Sequence, residues 1–426
     1  MKKAFIAGKH GKILYPLTLA LGKPVIKILQ NITEINPEPA LIEKLKSSKD
    51  KRLLVIANHP STAEPPLTTY LGEIAGYPFY FLASRQVFEW EHGLIGQFIQ
   101  RLGAYSVIAG IPDKDSIEFT KSILAKPNGK LVIYPEGEPT SGENDTLMPF
   151  QPGVSQLSFW AMDKIMKEDA NGDIEILPIF FRYAFLADEA KLHKKWGSRL
   201  KKLEKKLSIT PRHDGLVRRT LTIARILLEQ LEAKNHIVPE KQDYNYRIGR
   251  VRHALLNAVA DKLGLPPLPN DMNAILKFRK VFSRIELYMI GHIDPKWPKL
   301  SKQEIDWCFK ASVRAFDYII MHRDHLLNNP TYEKIDEWLT RFESFVLRKK
   351  PRALGGVPSV LPRKAWILMG TPFSLKEYYT KDRKKRREAT AHLTTRLREE
   401  LTELLEKTSS YTHPYPLQEG ELDNLI

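Results

Sequence analysis

The chain has 426 residues and a formal net charge of +16. Its 42% hydrophobic and 27% charged residues exclude intrinsic disorder and a polytopic membrane protein, and its length allows two domains or one domain with an insertion. A single cysteine, Cys308, excludes an internal disulfide and a cysteine-rich metal site; lying in the helical pattern 305-IDWCFKASVRAF-316, it is expected to be buried and inert.

The excess of positive charge favours nucleic acid, an anionic membrane or an anionic cofactor. The basic segments carry no zinc-finger spacing, RNA-binding aromatic signature or compact helix-turn-helix, so no nucleic-acid partner is expected. A signal-peptide cleavage pattern is absent.

Residues 1–32 hold Lys2, Lys3, Lys9, Lys12, Lys23 and Lys27 and no acid. The apolar stretches 13–22 and 25–29 are too short, and too broken by Pro16, Gly22 and Pro24, to span a bilayer. Such a segment can lie in the headgroup plane, where each lysine near an anionic surface contributes about 1 kcal/mol; the alternative is an ordinary helix packed on the domain. Residues 1–49 are read as basic amphipathic, membrane-associating helices.

The run 53-LLVIA-57 reads as a buried strand ending in a turn with Asn58, His59 and Pro60, with Ser61 or Thr62 as a helix N-cap. A helix over 67–76 follows, then a strand over 77–84 with Arg85 directly behind it. Residues 93–110 give a short helix containing Arg101, a break at Gly103 and a strand whose apolar part is 105–108. The spacing predicts a helix over 115–126, a strand over 130–134, a Gly/Pro/Ser-rich loop over 135–153, a helix over 154–165 and a strand over 174–185. Strands alternating with helices at this spacing indicate an α/β layer with a largely parallel or mixed sheet.

From 186 to about 360 the sequence is charged and helical, with clear patterns over 216–233, 247–264 and 332–349 and a strongly basic segment at 190–206. A strand and Gly-Thr-Pro turn return at 365–375, and a helix over 383–407 follows. One strand and one helix make a poor domain alone, so 186–360 is read as an insertion. The expected fold is α/β: a mixed, largely parallel sheet flanked by helices, formed by 50–185 and 361–412, with a large helical insertion at 186–360 and a surface tail at 413–426.

Three strand ends carry polar or special residues: Asn58, His59 and Glu64; Pro135, Glu136 and Gly137; and 177-LPI-179. In an α/β sheet such ends can converge. A strand-end imidazole with a carboxylate five residues on is the layout of a general base with an orienting partner. The alternative is a turn histidine beside a capping glutamate. Glu136 beside Gly137 can present a carboxylate with exposed backbone N–H groups, or simply cap a turn.

These blocks resemble the glycerolipid acyltransferase family, which includes the 1-acylglycerol-3-phosphate acyltransferases. The family's Asn-His, four residues and an acid are matched by 58-NHPSTAE-64. Its apolar strand ending Phe-Pro-Glu-Gly, with a loop closing on Pro-Phe-x-x-Gly, is matched by 131-LVIYPEGEPTSGENDTLMPFQPG-153 with Tyr134 for Phe. Its Val/Ile-Pro-Val/Ile block is matched by 177-LPI-179, and a later strand with Gly-x-Pro by 366-WILMGTPF-373. The resemblance covers about 50–185 and 363–407 and leaves 186–360 uncovered. The chain departs from the pattern in having Glu64 where the acid is usually Asp. It also has Ala109 and 138-EPT-140 where the family commonly places arginines against the acceptor's phosphate.

The resemblance implies transfer of a fatty acyl group from an acyl thioester, acyl-CoA or acyl-carrier protein, to the hydroxyl of a glycerolipid or lysophospholipid-like acceptor. His59 would act as base and Glu64 would fix its tautomer, with no cofactor beyond the donor and no metal. Asn58, Pro135, Glu136 and Gly137 would bind substrate, the amides around Gly137 would hold the oxyanion, and Arg85, Arg101 or Arg182 would replace the missing arginines. The basic surface at 191–206 could attract coenzyme A phosphates or be a solvated helix face. Partners and place follow: lipid acceptor, acyl donor, and a peripheral position on the cytoplasmic face of a membrane. The same His–Glu pair could serve a lipid hydrolase, although no Gly-x-Ser-x-Gly elbow is present, or survive in a non-catalytic lipid-binding protein.

Overall fold

The computed structural model describes residues 4–13, 15–16, 22–108, 113–140, 146–211, 214–349, 354 and 359–422. Ala109 and residues 141–145 of the loop over 135–153 lie outside them. The chain forms two compact units: Met1–Pro139 with Leu147–Tyr183 and Arg363–Ser409, and Thr140–Thr146 with Ala184–Pro362 and Ser410–Ile426.

The strands are β1 (Ile32–Pro37), β2 (Leu53–Ala57), β3 (Tyr80–Ser84), β4 (Ala104–Val107), β5 (Lys130–Ile133), β6 (Glu175–Phe185), β7 (Arg363–Met369) and β8 (Phe373–Ser374). They make one sheet in the order β1-β7-β6-β2-β5-β3-β4, with β8 antiparallel on β6. The pairs β1–β7, β2–β5, β2–β6, β3–β5 and β3–β4 are all parallel. This is the mixed, largely parallel α/β sheet that the alternation predicts. All five residues of β2 are buried, because a central parallel strand is covered on both faces and so reads as an unbroken apolar run.

Helix α1 (Gly22–Gln30) precedes β1, and α2 (Pro39–Ser47), α3 (Glu64–Ala75), α4 (Leu94–Arg101), α5 (Lys114–Ala125) and α6 (Gly153–Glu168) lie between successive strands of this unit. One core is built on alternate strand residues: Leu53, Val55 and Ala57 of β2, Val132 of β5, Leu177 and Ile179 of β6, packed with Leu41, Leu45, Leu67 and Leu71 of α2 and α3.

The N-terminal region is not helical throughout. Ile32–Pro37, placed among helices by the sequence reading, is an edge strand in which only Ile32 is buried, so it offers no apolar run. Residues 6–9 run beside the outer strand β4, where Ser106 N donates to Ile6 O at 2.9 Å and Lys9 N to Gln100 O at 2.9 Å.

The second unit contains α7 (Glu189–Leu207), α8 (Leu216–Lys234), α9 (Tyr244–Lys262), α10 (Ala274–Ile290), α11 (Lys302–Ile320), α12 (Arg323–Leu327) and α13 (Tyr332–Leu347). The basic helix α7 is held by one apolar stripe, Leu192, Trp196, Leu200 and Leu203, with lysines such as Lys194, Lys195, Lys201 and Lys202 exposed. Buried ion pairs join its helices: Arg199 binds Asp336 and, at 2.8 Å, Glu343; Arg341 binds Asp317 at 3.1 Å. Removing one partner of such a pair leaves an uncompensated buried charge, at a cost of about 3–5 kcal/mol. Cys308 is buried and free, and burial pushes its thiol up to about 11. The tail, expected as a surface extension, is anchored by two buried residues. Tyr415 is buried, and so is Glu421, which accepts from Val217 N at 2.8 Å.

The returning segment completes the first unit. Helix α14 (Arg386–Lys407) sends Arg398 to the carbonyls of Met148 (2.8 Å) and Leu147 (3.2 Å), and Gly370 N donates to Pro178 O at 2.9 Å.

Candidate active site

Alternation carries directly into the site. The core-facing positions of β2 are 53, 55 and 57, those of β5 and β6 include 132, 177, 179 and 181. Two residues further along each strand stand His59, Tyr134 and Tyr183, on the face covered by α3, whose first residue is Glu64. The carboxyl ends of the parallel strands around β2 therefore gather the imidazole, two phenols and the carboxylate.

His59 Nδ1 lies 2.8 Å from Glu64 Oε2. A carboxylate accepts, so the proton belongs on Nδ1 and the basic lone pair on Nε2. The ring stacks on Tyr134, with centroids 4.4 Å apart and planes 21° from parallel. Tyr134 Oη is 3.2 Å from Thr68 Oγ1, giving the hydroxyl of this Tyr-for-Phe position a buried partner.

Glu64 is fully buried, and its two oxygens are saturated. Besides His59, they accept from Ser61 N (3.0 Å), Ser61 Oγ (2.8 Å) and Tyr183 Oη (2.5 Å). Its place at the helix N-terminus adds favourable backbone dipoles. Burial first, then the Glu64 charge, pushes the Tyr183 phenol well up, so Tyr183 remains a donor. Neither Ser61 nor Thr62 is the N-cap: Ala63 holds that position without a side-chain bond, and prolines follow in the first turn, where a missing N–H costs nothing. Ser61 braces Glu64 instead.

The Pro-Glu-Gly turn meets the histidine turn through Glu136. Its Oε1 accepts from His59 N and its Oε2 from Met148 N, each at 2.7 Å, and the residue is 1% exposed. Burial pushes this carboxyl up to about 7, against the opposing pull of the two amides. A carboxylate spent in this way positions the His59 backbone, which corrects the expectation that it binds the acceptor.

Gly137 has φ of 81°, and its amide donates to Tyr134 O at 3.0 Å, closing the turn. That bond removes the Gly137 N–H as the expected oxyanion donor. Pro135 contributes its carbonyl to Gln151 N at 2.8 Å, so the Pro-Phe-x-x-Gly segment clamps the turn rather than leaving it open to substrate. Asn58 is a strand-pairing residue: its Nδ2 donates to Phe181 O (3.0 Å) and its Oδ1 accepts from Phe181 N (2.7 Å), extending the β2–β6 ladder with side-chain atoms.

The three arginines separate. Arg85 follows β3 at the same carboxyl edge as His59, buried, with Nη1 2.8 Å from Glu89. Arg101 ends the helix that precedes β4 and donates to Gln97 O at 2.9 Å. Because β4 runs parallel to the others, the residues before it lie at the amino edge, which removes Arg101 from the site. Arg182 is buried within β6, and alternation directs it to the face opposite Tyr183.

Tyr183, Tyr134 and Gln151 escaped the sequence reading. For Tyr183 the signal was available only as parity: it lies two residues beyond Phe181, and that spacing acquires meaning once β6 is known to sit beside β2.

A buried carboxylate holding a strand-end histidine, at the carboxyl edge of a parallel sheet, supports an acyltransferase-type active site. Residues 37–182 match the family model described as Acyltransferase. No curated protein matches the chain.

Proposed function

We propose that the protein transfers a fatty acyl group from acyl-CoA or acyl-carrier protein to the hydroxyl of a glycerolipid or lysophospholipid-like acceptor, 1-acylglycerol 3-phosphate among them. The observation that carries this reading is the Nδ1–Glu64 contact at 2.8 Å, which assigns the lone pair to Nε2. His59 Nε2 takes the acceptor's hydroxyl proton as the oxygen attacks the thioester carbonyl. The tetrahedral intermediate then collapses, the C–S bond breaks, and the proton passes from the imidazolium to the departing thiolate. Glu64 offsets the imidazolium charge and keeps the ring in one tautomer. The thioester is already activated, so no covalent enzyme intermediate is required.

Peripheral attachment to the cytoplasmic face of a membrane belongs to the same proposal. Among the described residues no helix is long and apolar enough to cross a bilayer. Support comes from α1, where Ile28 and Leu29 are exposed on a helix that also carries Lys23 and Lys27.

The test is acyl transfer by wild type, His59→Ala and Glu64→Gln with long-chain acyl-CoA and acyl-carrier protein. The acceptors are 1-acylglycerol 3-phosphate, other lysophospholipids and phosphate-free monoacylglycerol, with products read by mass. Acceptors without phosphate are included because the family's arginines are absent at Ala109 and within 138-EPT-140, where Glu138 adds a carboxylate. Loss of about 10²–10⁴-fold in His59→Ala is expected. Unchanged transfer in that variant overturns the reading, and release of free fatty acid in place of acylated product makes the protein a hydrolase.

A further inference from the structure

The second unit contains a cavity of about 560 Å³, a volume suited to one small ligand or a single acyl chain. It lies between the C-terminal end of α7, one face of α8, and residues of α9 and α13. Its deep wall is apolar and aromatic: Leu228, Ile248, Met321, Trp338 and Phe342 line it and are all buried. Leu221, Ala224 and Ile226 continue that surface to the partly exposed side.

Four arginines also line it, among residues such as Ser208, Thr210, Thr222 and Tyr244. These are Arg218, whose Nη1 donates to Glu421 O at 3.4 Å, Arg219, Arg225 and Arg323, and among the lining residues Glu204 is the one carboxylate. That carboxylate is taken by Arg219, whose Nε and Nη2 donate to its two oxygens at 2.7 and 2.8 Å. Arg225 stands half exposed, 3.9 Å from Glu229. A cavity lined by apolar and aromatic side chains together with more arginines than carboxylates sets two requirements on an occupant: a chain to bury and a negative head to place.

From this we propose that the cavity binds a single-chain amphipathic anion, with its hydrocarbon along Ile248, Met321, Trp338 and Phe342 and its carboxylate or phosphate head at the arginines. This site is lined only by residues of the second unit and does not rest on the acyl-transfer reading of His59.

The test is calorimetric titration of the full chain, below micelle formation, with dodecanoate, dodecyl phosphate, dodecanol and inorganic phosphate. Wild type is expected to bind at least one of the two chain-bearing anions; the tighter of these distinguishes a fatty acid from a lipid phosphate monoester as the source of the head. Arg225→Gln/Arg323→Gln should weaken that binding about tenfold, and Ala224→Trp, which fills the cavity from its exposed side, should abolish it. Circular dichroism checks that both variants remain folded, and His59→Ala should bind the probe as wild type does. Failure of both anions to bind overturns the proposal, as does binding unchanged in both cavity variants. Dodecanol binding as tightly as the anions, or inorganic phosphate binding as tightly as dodecyl phosphate, overturns it equally.

Discussion

Tyr183 Oη donates to Glu64 Oε1 across 2.5 Å, joining the end of β6 to the first residue of α3 beneath the His59 ring. The bond fixes the carboxylate that fixes the imidazole. Hydrogen bonds to a charged group contribute about 1.5–3 kcal/mol. Tyr183→Phe is expected to lower kcat for acyl transfer about tenfold with little change in KM, because Ser61 still supplies two bonds to Glu64. Steady-state kinetics checks this, and an unchanged kcat would show that Ser61 alone holds the carboxylate.

Glu136 gives a pH signature. Its carboxyl sits at about 7 in the folded protein, above the ordinary 4.5, so the folded state keeps the proton longer than the unfolded chain. Stability from this residue is full below about pH 4.5 and declines as pH rises to about 7. Glu136→Gln has no such titration. The stability difference between wild type and Glu136→Gln should shift against wild type by up to about 3 kcal/mol between pH 4.5 and pH 8. Urea midpoints at both pH values measure it. A difference independent of pH would mean that the two backbone amides keep the carboxylate ionised.

The sequence picked out residues that meet at one edge of the sheet but not how they are wired together. His59, Glu64 and Glu136 stand out because they follow buried apolar strands, at the edge where a parallel sheet presents side chains to a ligand. What Glu136 and Asn58 do there was not legible, since their partners, Met148 and Phe181, are set by loop closure and sheet order. β2 and β6 were readable as apolar runs, whereas the edge strand β1 lacks such a run because most of its residues are partly exposed. Arg101 was misplaced for a topological reason: position along the chain does not tell which edge of the sheet a residue occupies until strand direction is known.

Gly137 tests the turn itself. Its φ of 81° disfavours any side chain by about 1–2 kcal/mol, and a Cβ there would stand 1.8 Å from Gln151 Nε2. Gly137→Ala should lower Tm and acyl transfer together by displacing Gln151 and the Glu136 carbonyl it binds at 3.3 Å. Adding Gln151→Ala should restore part of the Tm by removing the clash and leave the backbone strain. Calorimetry on the single and double variants separates the two contributions; no recovery at all would mean that strain accounts for the whole loss.

The second unit carries its own pH-dependent contact. His413 Nδ1 lies 2.8 Å from Glu333 Oε1, and His413 N donates to Glu333 Oε2 at 3.0 Å. The Glu333 bond, with a smaller contribution from the Glu189 charge, raises the His413 pKa above its ordinary 6.5. Neighbouring backbone bonds, Tyr332 N to His413 O at 3.0 Å and Tyr415 N to Pro330 O at 2.8 Å, dock the tail on the start of α13. A raised histidine pKa contributes stability that is complete below the unfolded value and is lost as pH rises through the folded one. Hydrogen exchange of residues 410–422, corrected for intrinsic rates, should therefore show weaker protection at pH 9 than at pH 6. His413→Gln keeps a side-chain donor for Glu333 but cannot be protonated, so its protection should vary little between those pH values. Equal pH dependence in wild type and His413→Gln would assign the effect to another group.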